Sequence, residues 1–225
     1  MGAREHPGLE VVRVFTAPDG TWGNPLGVFL DGGAVPEEER QPIATELGFS
    51  ETVFVDDLKL AEMRIFTPAA ELALAGHPLV GTAWLMRERG HEPTGLRPPA
   101  GDVGVRFDGE LTCVDARPDW GPAWEFVQLG SPAEVDAFDA ASVTEGEVAI
   151  WAWMDEPVGI VRMRVFAPED NIAEDEATGS AALILTADLG REIEIHQGRG
   201  SLLHARPLDN GRTEVAGRVV LDAHA

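Results

Sequence analysis

At 225 residues, 44% of them hydrophobic and 25% charged, the chain has the length and composition of one large soluble domain or two small ones around a full core. A net charge of −22 argues against nucleic acid as a partner, because neutralising phosphates needs a basic surface, and it points to a well-solvated, self-repelling exterior. No apolar run reaches the roughly 18 residues of a membrane span, so no membrane partner is expected.

Alternating, β-rich runs predict strands over 10–16, 26–31, 51–56 and 62–67. Between the second and third, Pro36 followed by Glu37, Glu38 and Glu39 and closed by Gly48 predicts a helix, which Pro42 should kink or delay. His77-Pro78 opens a second helix that ends near Gly90. The Pro/Gly-rich stretch 91–102 reads as a linker. Beyond it, strands are predicted over 103–107, 110–116 and 124–129, and a helix from Ser131-Pro132 to about Ala141. Strands at 147–153 and 159–166, a helix at 180–189 stopped by Gly190, and strands at 191–196, 201–206 and 213–220 complete the order.

The first eight residues, Met-Gly-Ala-Arg-Glu-His-Pro-Gly, hold no apolar signal region, and His6 stands where a myristoylation signal has Ser or Thr; a cytoplasmic protein is expected. Residue usage prunes the chemistry further. Lys59, the only lysine, sits between Asp57 and Glu62 in a surface-type turn, a poor place for a Schiff-base amine, and without tyrosine there is no tyrosine general acid. Cys113, the only cysteine, lies in a strand-like alternation as a small packing residue. It excludes an internal disulfide, a CxxC motif and a racemase with one thiol on each substrate face. The six histidines form no HExxH, and no metal is expected.

One unit is written twice. Met-Arg-Ile-Phe-Thr-Pro at 63–68 returns as Met-Arg-Val-Phe-Ala-Pro at 163–168, an offset of 100 residues (163 − 63). Each copy is followed by a Gly-led helix start, at Gly76-His77-Pro78 and at Gly179-Ser180-Ala181. Both following helices lack a polar stripe in their first turns, and a helix apolar all round is buried all round. This predicts an α/β chain of two related β-rich halves, 1–102 and 103–225, each wrapped around a central helix whose N-terminus faces the other half.

Two converging helix starts would grip a small anion, since each presents unpaired N–H groups and a partial positive charge. Gly76 and Gly179 would let a ligand approach the backbone, although glycine also serves a tight turn. Three nearby groups can move protons. Glu51 opens an apolar strand and is either a solvated strand end, which spacing alone favours, or a buried acid of raised pKa. His77 either caps its helix or sits over a substrate. Asp175 lies in the acidic run Glu174-Asp175-Glu176 ahead of a helix, where a favourable charge–dipole placement is the simpler reading.

Taken in order, these residues resemble the phenazine-biosynthesis PhzF-like family of the diaminopimelate-epimerase fold superfamily. The resemblance runs from Val11 to about Val219. It includes Val14-Phe15-Thr16, Gly23-Asn24-Pro25, Ser50 to Val55, and Phe66-Thr67-Pro68 with Glu71-Leu72. Its most specific parts are Ala75-Gly76-His77-Pro78 with Gly81-Thr82-Ala83, and Glu174 through Ala181. It implies a diaminopimelate-epimerase-like fold of two pseudo-symmetric halves, each a β-barrel-like sheet around a central helix, with the site in the cleft between them. It also implies a dimer, and a cofactor-independent isomerase that moves a proton around a cyclic dihydro-hydroxyanthranilate ring. By position, Glu51 matches the proton-shuttling glutamate, and His77 and Asp175 match the groups that orient substrate and tune charge. The N–H groups of Gly76, His77, Gly179 and Ser180 match the substrate-contacting helix starts. The chain is shorter than typical members, mostly between the two motif copies, and Trp22 precedes Gly23-Asn24 where the family has a different group.

The leading expectation is therefore a single-carboxylate isomerase acting on a small cyclic carboxylate. A non-catalytic small-anion binding or scaffold protein of the same fold is the alternative. A hydrolase triad of Ser180, His77 and Asp175 ranks last, without a GxSxG elbow and with Asp175 only five residues before Ser180.

Overall fold

The structure, a computed structural model describing residues 6–222, joins fifteen strands into one continuous sheet around two buried helices. The stretch read above for targeting signals lies partly outside the described residues. The first unit runs β1 (Leu9–Thr16), β2 (Asn24–Phe29), α1 (Glu37–Leu47), β3 (Glu51–Asp57), β4 (Glu62–Phe66), β5 (Glu71–Leu72), α2 (Gly76–Glu88), β6 (Gly95–Leu96), β7 (Val103–Asp108) and β8 (Leu111–Ala116). The second runs β9 (Glu125–Gln128), α3 (Pro132–Ala137), β10 (Val148–Asp155), β11 (Ile160–Ala167), β12 (Ile172–Asp175), α4 (Gly179–Leu189), β13 (Ile193–Gln197), β14 (Ser201–Pro207) and β15 (Thr213–Leu221).

From β2 and β9 onward the two orders match element for element. Each begins with a parallel pair crossed by a helix, β2 with β3 through α1 and β9 with β10 through α3. An antiparallel hairpin follows, β3–β4 and β10–β11, and the hexapeptide copies lie at its second strand. In the registers, Thr52 faces Phe66 and Val148 faces Phe166, the two phenylalanines being the same position of the repeat. The sheets close around α2 and α4, buried on nearly every face as their sequences require. Leu79, Val80, Ala83 and Leu85 of α2 and Ala181, Ala182, Leu183 and Leu185 of α4 belong to one common core.

The last strand joins the two units. Residues 213–217 of β15 pair with β8, and 213–216 also pair with β14 on the other side; residues 218–221 pair with β1. The expected division at residue 102 falls between the paired strands β6 and β7, and β8 packs on α2.

Three local expectations are corrected. The stretch 91–102 is no free linker: Leu96 inserts fully into the core and β6 pairs with β7. Helix α1 starts at Glu37, so Pro42 lies inside it and does not delay its start. Its first turn is pinned by the buried Arg40, which donates to the carbonyls of Gly32 and Val35 and to Asp56. Helix α3 stops at Ala137 because Phe138 turns extended (φ −62°, ψ 130°) and lays its ring 5.8 Å from that of Phe166. Other ends shift by about a residue or two. Among the described residues no helix is long and apolar enough to cross a membrane.

Candidate active site

The N-termini of α2 and α4 meet head to head. A Cβ added to Gly76 would lie 2.6 Å from the Cα of Gly179, and one added to Gly179 would lie 2.7 Å from the Cα of Gly76. The sequence suggested that these glycines admit a ligand; in the structure they admit each other. Neither N-cap residue, Ala75 or Thr178, caps its helix with a side chain, so two positive dipole ends converge without a cap of their own.

Beside this junction, between the two units, is a cavity of about 240 Å³. Both N-cap residues line it, together with Ser180, the indoles of Trp120 and Trp124, and four acids: Glu51, Glu147, Asp170 and Asp175. None of its lining residues is Lys or Arg.

Glu51 is the first residue of β3, and parallel pairing with Leu26 of β2 draws it inward, leaving the side chain only 11% exposed. Burial is therefore the answer to the choice left open by spacing. Desolvation first, and then the charges of Asp175 and Asp170, push its pKa well above the usual carboxylate range. Its Oε2 has no hydrogen-bond partner, and His77 Nδ1 lies 3.2 Å away without hydrogen-bond alignment. Burial holds the His77 pKa down to about 3, so the imidazole is neutral, and its Nε2 is also unpartnered.

Asp175 ends β12 and is tied down by both units. Asn24 Nδ2, from the first residue of β2, donates to its Oδ1 at 2.6 Å, and Thr178 Oγ1 donates to its Oδ2 at 2.6 Å. Ser50 Oγ in turn donates to Asn24 Oδ1 at 2.9 Å. Gln197, fully buried on β13, donates to the Asp175 carbonyl and to Thr178 Oγ1, and accepts from the Thr178 N–H. Burial raises the Asp175 pKa to about 6 against the lowering effect of its Thr178 and Asn24 hydrogen bonds. Of the two acids, Asp175 holds the Thr178 and Asn24 hydrogen bonds that favour its charge, whereas at Glu51 desolvation outweighs the one from Ser50. Glu51 is therefore the acid whose pKa stands raised well above its usual range, with the charge of Asp175 among the causes.

Of the residues singled out by sequence, Glu51, Asp175 and Ser180 reach the cavity wall, whereas His77 sits behind Glu51, and Gly76 and Gly179 form the helix junction. The hydrolase triad is not assembled. Ser180 Oγ accepts from Trp124 Nε1 at 3.2 Å, His77 faces Glu51, and Asp175 is bound by Asn24 and Thr178. Asn24, Gln197, Trp124, Glu147 and Asp170 were not among the candidates. Asn24 stood inside a recognised motif; the others carried no signal, because nothing in their local spacing reveals the cavity they share.

The sequence profile of the family described as phenazine biosynthesis-like protein matches residues 12–116. Trans-2,3-dihydro-3-hydroxyanthranilate isomerase from Pseudomonas chlororaphis is 30% identical, over 88% of this chain and 88% of that enzyme. The isomerase of the same name from Pseudomonas aeruginosa is also 30% identical, over 82% and 84%. The chain belongs to the phenazine biosynthesis-like family. It is an isomerase of that family by its relatives. The fold agrees. A phenazine biosynthesis PhzC/PhzF protein from Clostridium difficile superposes with a TM-score of 0.78 at 24% identity, over 95% of this chain and 96% of that one. A hydroxyproline epimerase from Agrobacterium vitis, solved with trans-4-hydroxy-L-proline, gives a TM-score of 0.60 at 13% identity, over 96% and 90%. The diaminopimelate-epimerase-like architecture expected from the sequence is thus the one observed.

Proposed function

We propose that this isomerase moves a proton on a small cyclic carboxylate of the dihydro-hydroxyanthranilate kind, with Glu51 as the proton-carrying carboxyl and without a cofactor or metal. The observation that carries the reading is the Glu51 side chain, buried, without a hydrogen-bond donor at Oε2 and with its pKa pushed well above the usual carboxylate range by burial, on the wall of a cavity between two helix starts. A carboxyl in that state can give its proton to a substrate carbon. Neutral His77 keeps a polar contact with Oε2 through the cycle. Asp175, fixed by Asn24 and Thr178, sets the field that Glu51 works against.

The substrate carboxylate sits where the helix starts open on the cavity, at Ala75 and Ser180, and the indoles of Trp120 and Trp124 cover a flat ring. In this reading Gly76, His77 and Gly179 act through the helix junction rather than by direct contact. The units that enclose the site meet after β8, near residue 116, since β6–β8 repeat as β13–β15. The homodimer implied by the family and the cytoplasmic setting expected from the sequence are part of the same proposal.

The test is deuterium incorporation from heavy water into cyclic amino and hydroxy carboxylates, trans-2,3-dihydro-3-hydroxyanthranilate included, by wild type and Glu51→Gln. Exchange in the wild type that disappears in a folded variant is expected. Exchange that persists in the variant would remove Glu51 from the chemistry.

A further inference from the structure

The internal repeat places a second carboxyl in the cavity. Phe66 and Phe166 occupy the same position of the duplicated hexapeptide, and they face Thr52 and Val148 across their hairpins. Thr52 and Val148 are therefore equivalent, and so are the residues before them, Glu51 and Glu147. The equivalence extends to the neighbours. Ile65 and Val165 of the repeat face Leu72 and Asp175. Glu51 thus has the acid Asp175 near it where the pseudo-symmetric position holds Leu72.

Glu147 was not absorbed by the reading above. It lines the same cavity from the second unit, and its Oε2 is buried without a hydrogen-bond partner, as Oε2 of Glu51 is. Its backbone is held. The Glu147 carbonyl accepts from the Glu125 N–H at 2.8 Å, and the Gly146 N–H donates to Glu169 at 3.0 Å, tying this loop to the turn that carries Asp170. Nothing structural uses the carboxyl itself, and a buried polar group without a partner is costly unless a ligand supplies one. We infer that Glu147 is a second proton carrier, facing the bound ring from the other unit, so that one carboxyl takes the proton and the other delivers one.

The chemistry balances without any co-reactant. The Glu147 carboxylate removes a proton from a ring carbon: a C–H bond breaks, an O–H bond forms, and the electron pair enters the adjoining π system of the substrate. The Glu51 carboxyl then delivers its proton at another ring position, its O–H bond breaking as the new C–H bond forms. Solvent exchange restores both groups. The division of labour follows the surroundings. Burial and the charges of Asp170 and Glu169 raise the Glu147 pKa to about 7, so a carboxylate is populated at neutral pH, while deeper burial pushes the Glu51 pKa well above the usual carboxylate range. A single carrier must alternate between both states on its own; two carriers start in the states the first step needs.

This inference rests on the isomerase reading, and the experiment separates the two. Trans-2,3-dihydro-3-hydroxyanthranilate with deuterium at the carbon that loses its proton is turned over in ordinary water by wild type, Glu51→Gln and Glu147→Gln. With two carriers, the wild-type product contains no migrated deuterium, and Glu147→Gln lowers kcat by about a hundredfold or more with little change in KM. Deuterium found at the receiving carbon, or a Glu147→Gln variant that keeps kcat or changes KM alone, overturns the second carrier. The wild-type label result stands even where a variant fails to fold. Turnover retained by Glu51→Gln removes Glu51 as the proton carrier of the proposed function instead, and a wild type that turns over none of this substrate removes both.

Discussion

The Asn24 amide, on the first unit, donates across the cleft to the Asp175 carboxylate of the second at 2.6 Å, and the same nitrogen reaches the Ala177 carbonyl at 3.1 Å. A single buried side chain thereby fixes both the acid and the backbone leading into α4. Asn24→Ala leaves Asp175 short of a donor and Ser50 without its acceptor. A loss of about 1–3 kcal/mol is expected, read as a lower urea midpoint at unchanged slope.

The glycine junction makes a sharper case. In a helix, Gly→Ala ordinarily stabilises by about 0.5–1 kcal/mol. At Gly76 the new methyl would meet the backbone of Gly179 at 2.6 Å, and backbone cannot swing aside as a flexible side chain can. Gly76→Ala and Gly179→Ala should each therefore destabilise, by about 1–3 kcal/mol, with a lowered Tm. A neutral or raised Tm would mean that the helix ends separate at little cost.

Glu51 has a stability signature independent of activity. Its folded pKa lies well above the 4.5 of an unperturbed glutamate, so between those values the folded chain holds a proton that the unfolded chain has lost. Stability attributable to this group is accordingly greatest at low pH and declines as pH rises through that window. Glu51→Gln removes the decline. The variant should be more stable than wild type at alkaline pH, with the difference closing toward pH 4.5, as read from denaturation midpoints across pH.

His77 acts in the opposite direction. With a folded pKa of about 3 against 6.5, the unfolded chain takes up a proton first as pH falls, and stability is lost from about 6.5 downward. His77→Asn should flatten this acid limb by up to one proton, about 1.4 kcal/mol per pH unit. An unchanged limb would assign the acid sensitivity to other groups.

How much was readable in advance follows from where the information lies. The repeat placed β4, β11, α2 and α4 correctly because strand alternation and all-round apolarity are local signals, and Glu51, His77 and Asp175 were found as motif residues. The end of α3 was missed because Phe138 leaves the helix to pack on Phe166, a partner 28 residues away (166 − 138). The state of Glu51 could not be read, since its burial depends on β2 lying beside β3. Glu147 opens the strand predicted over 147–153 with no local mark of its own, and only the hairpin registers show that it repeats Glu51.

The position of β15 has a consequence for how the protein is made. Its nine residues pair with β1, β8 and β14, so the sheets of both units wait for it. A ribosome that has translated as far as residue 212 has already produced Glu51, His77, Glu147 and Asp175, yet the nascent chain still has β1 and β8 open as unpaired edges. Neither unit can complete its sheet before β15 is made, and until then the open edges of β1 and β8 are available for edge-to-edge association.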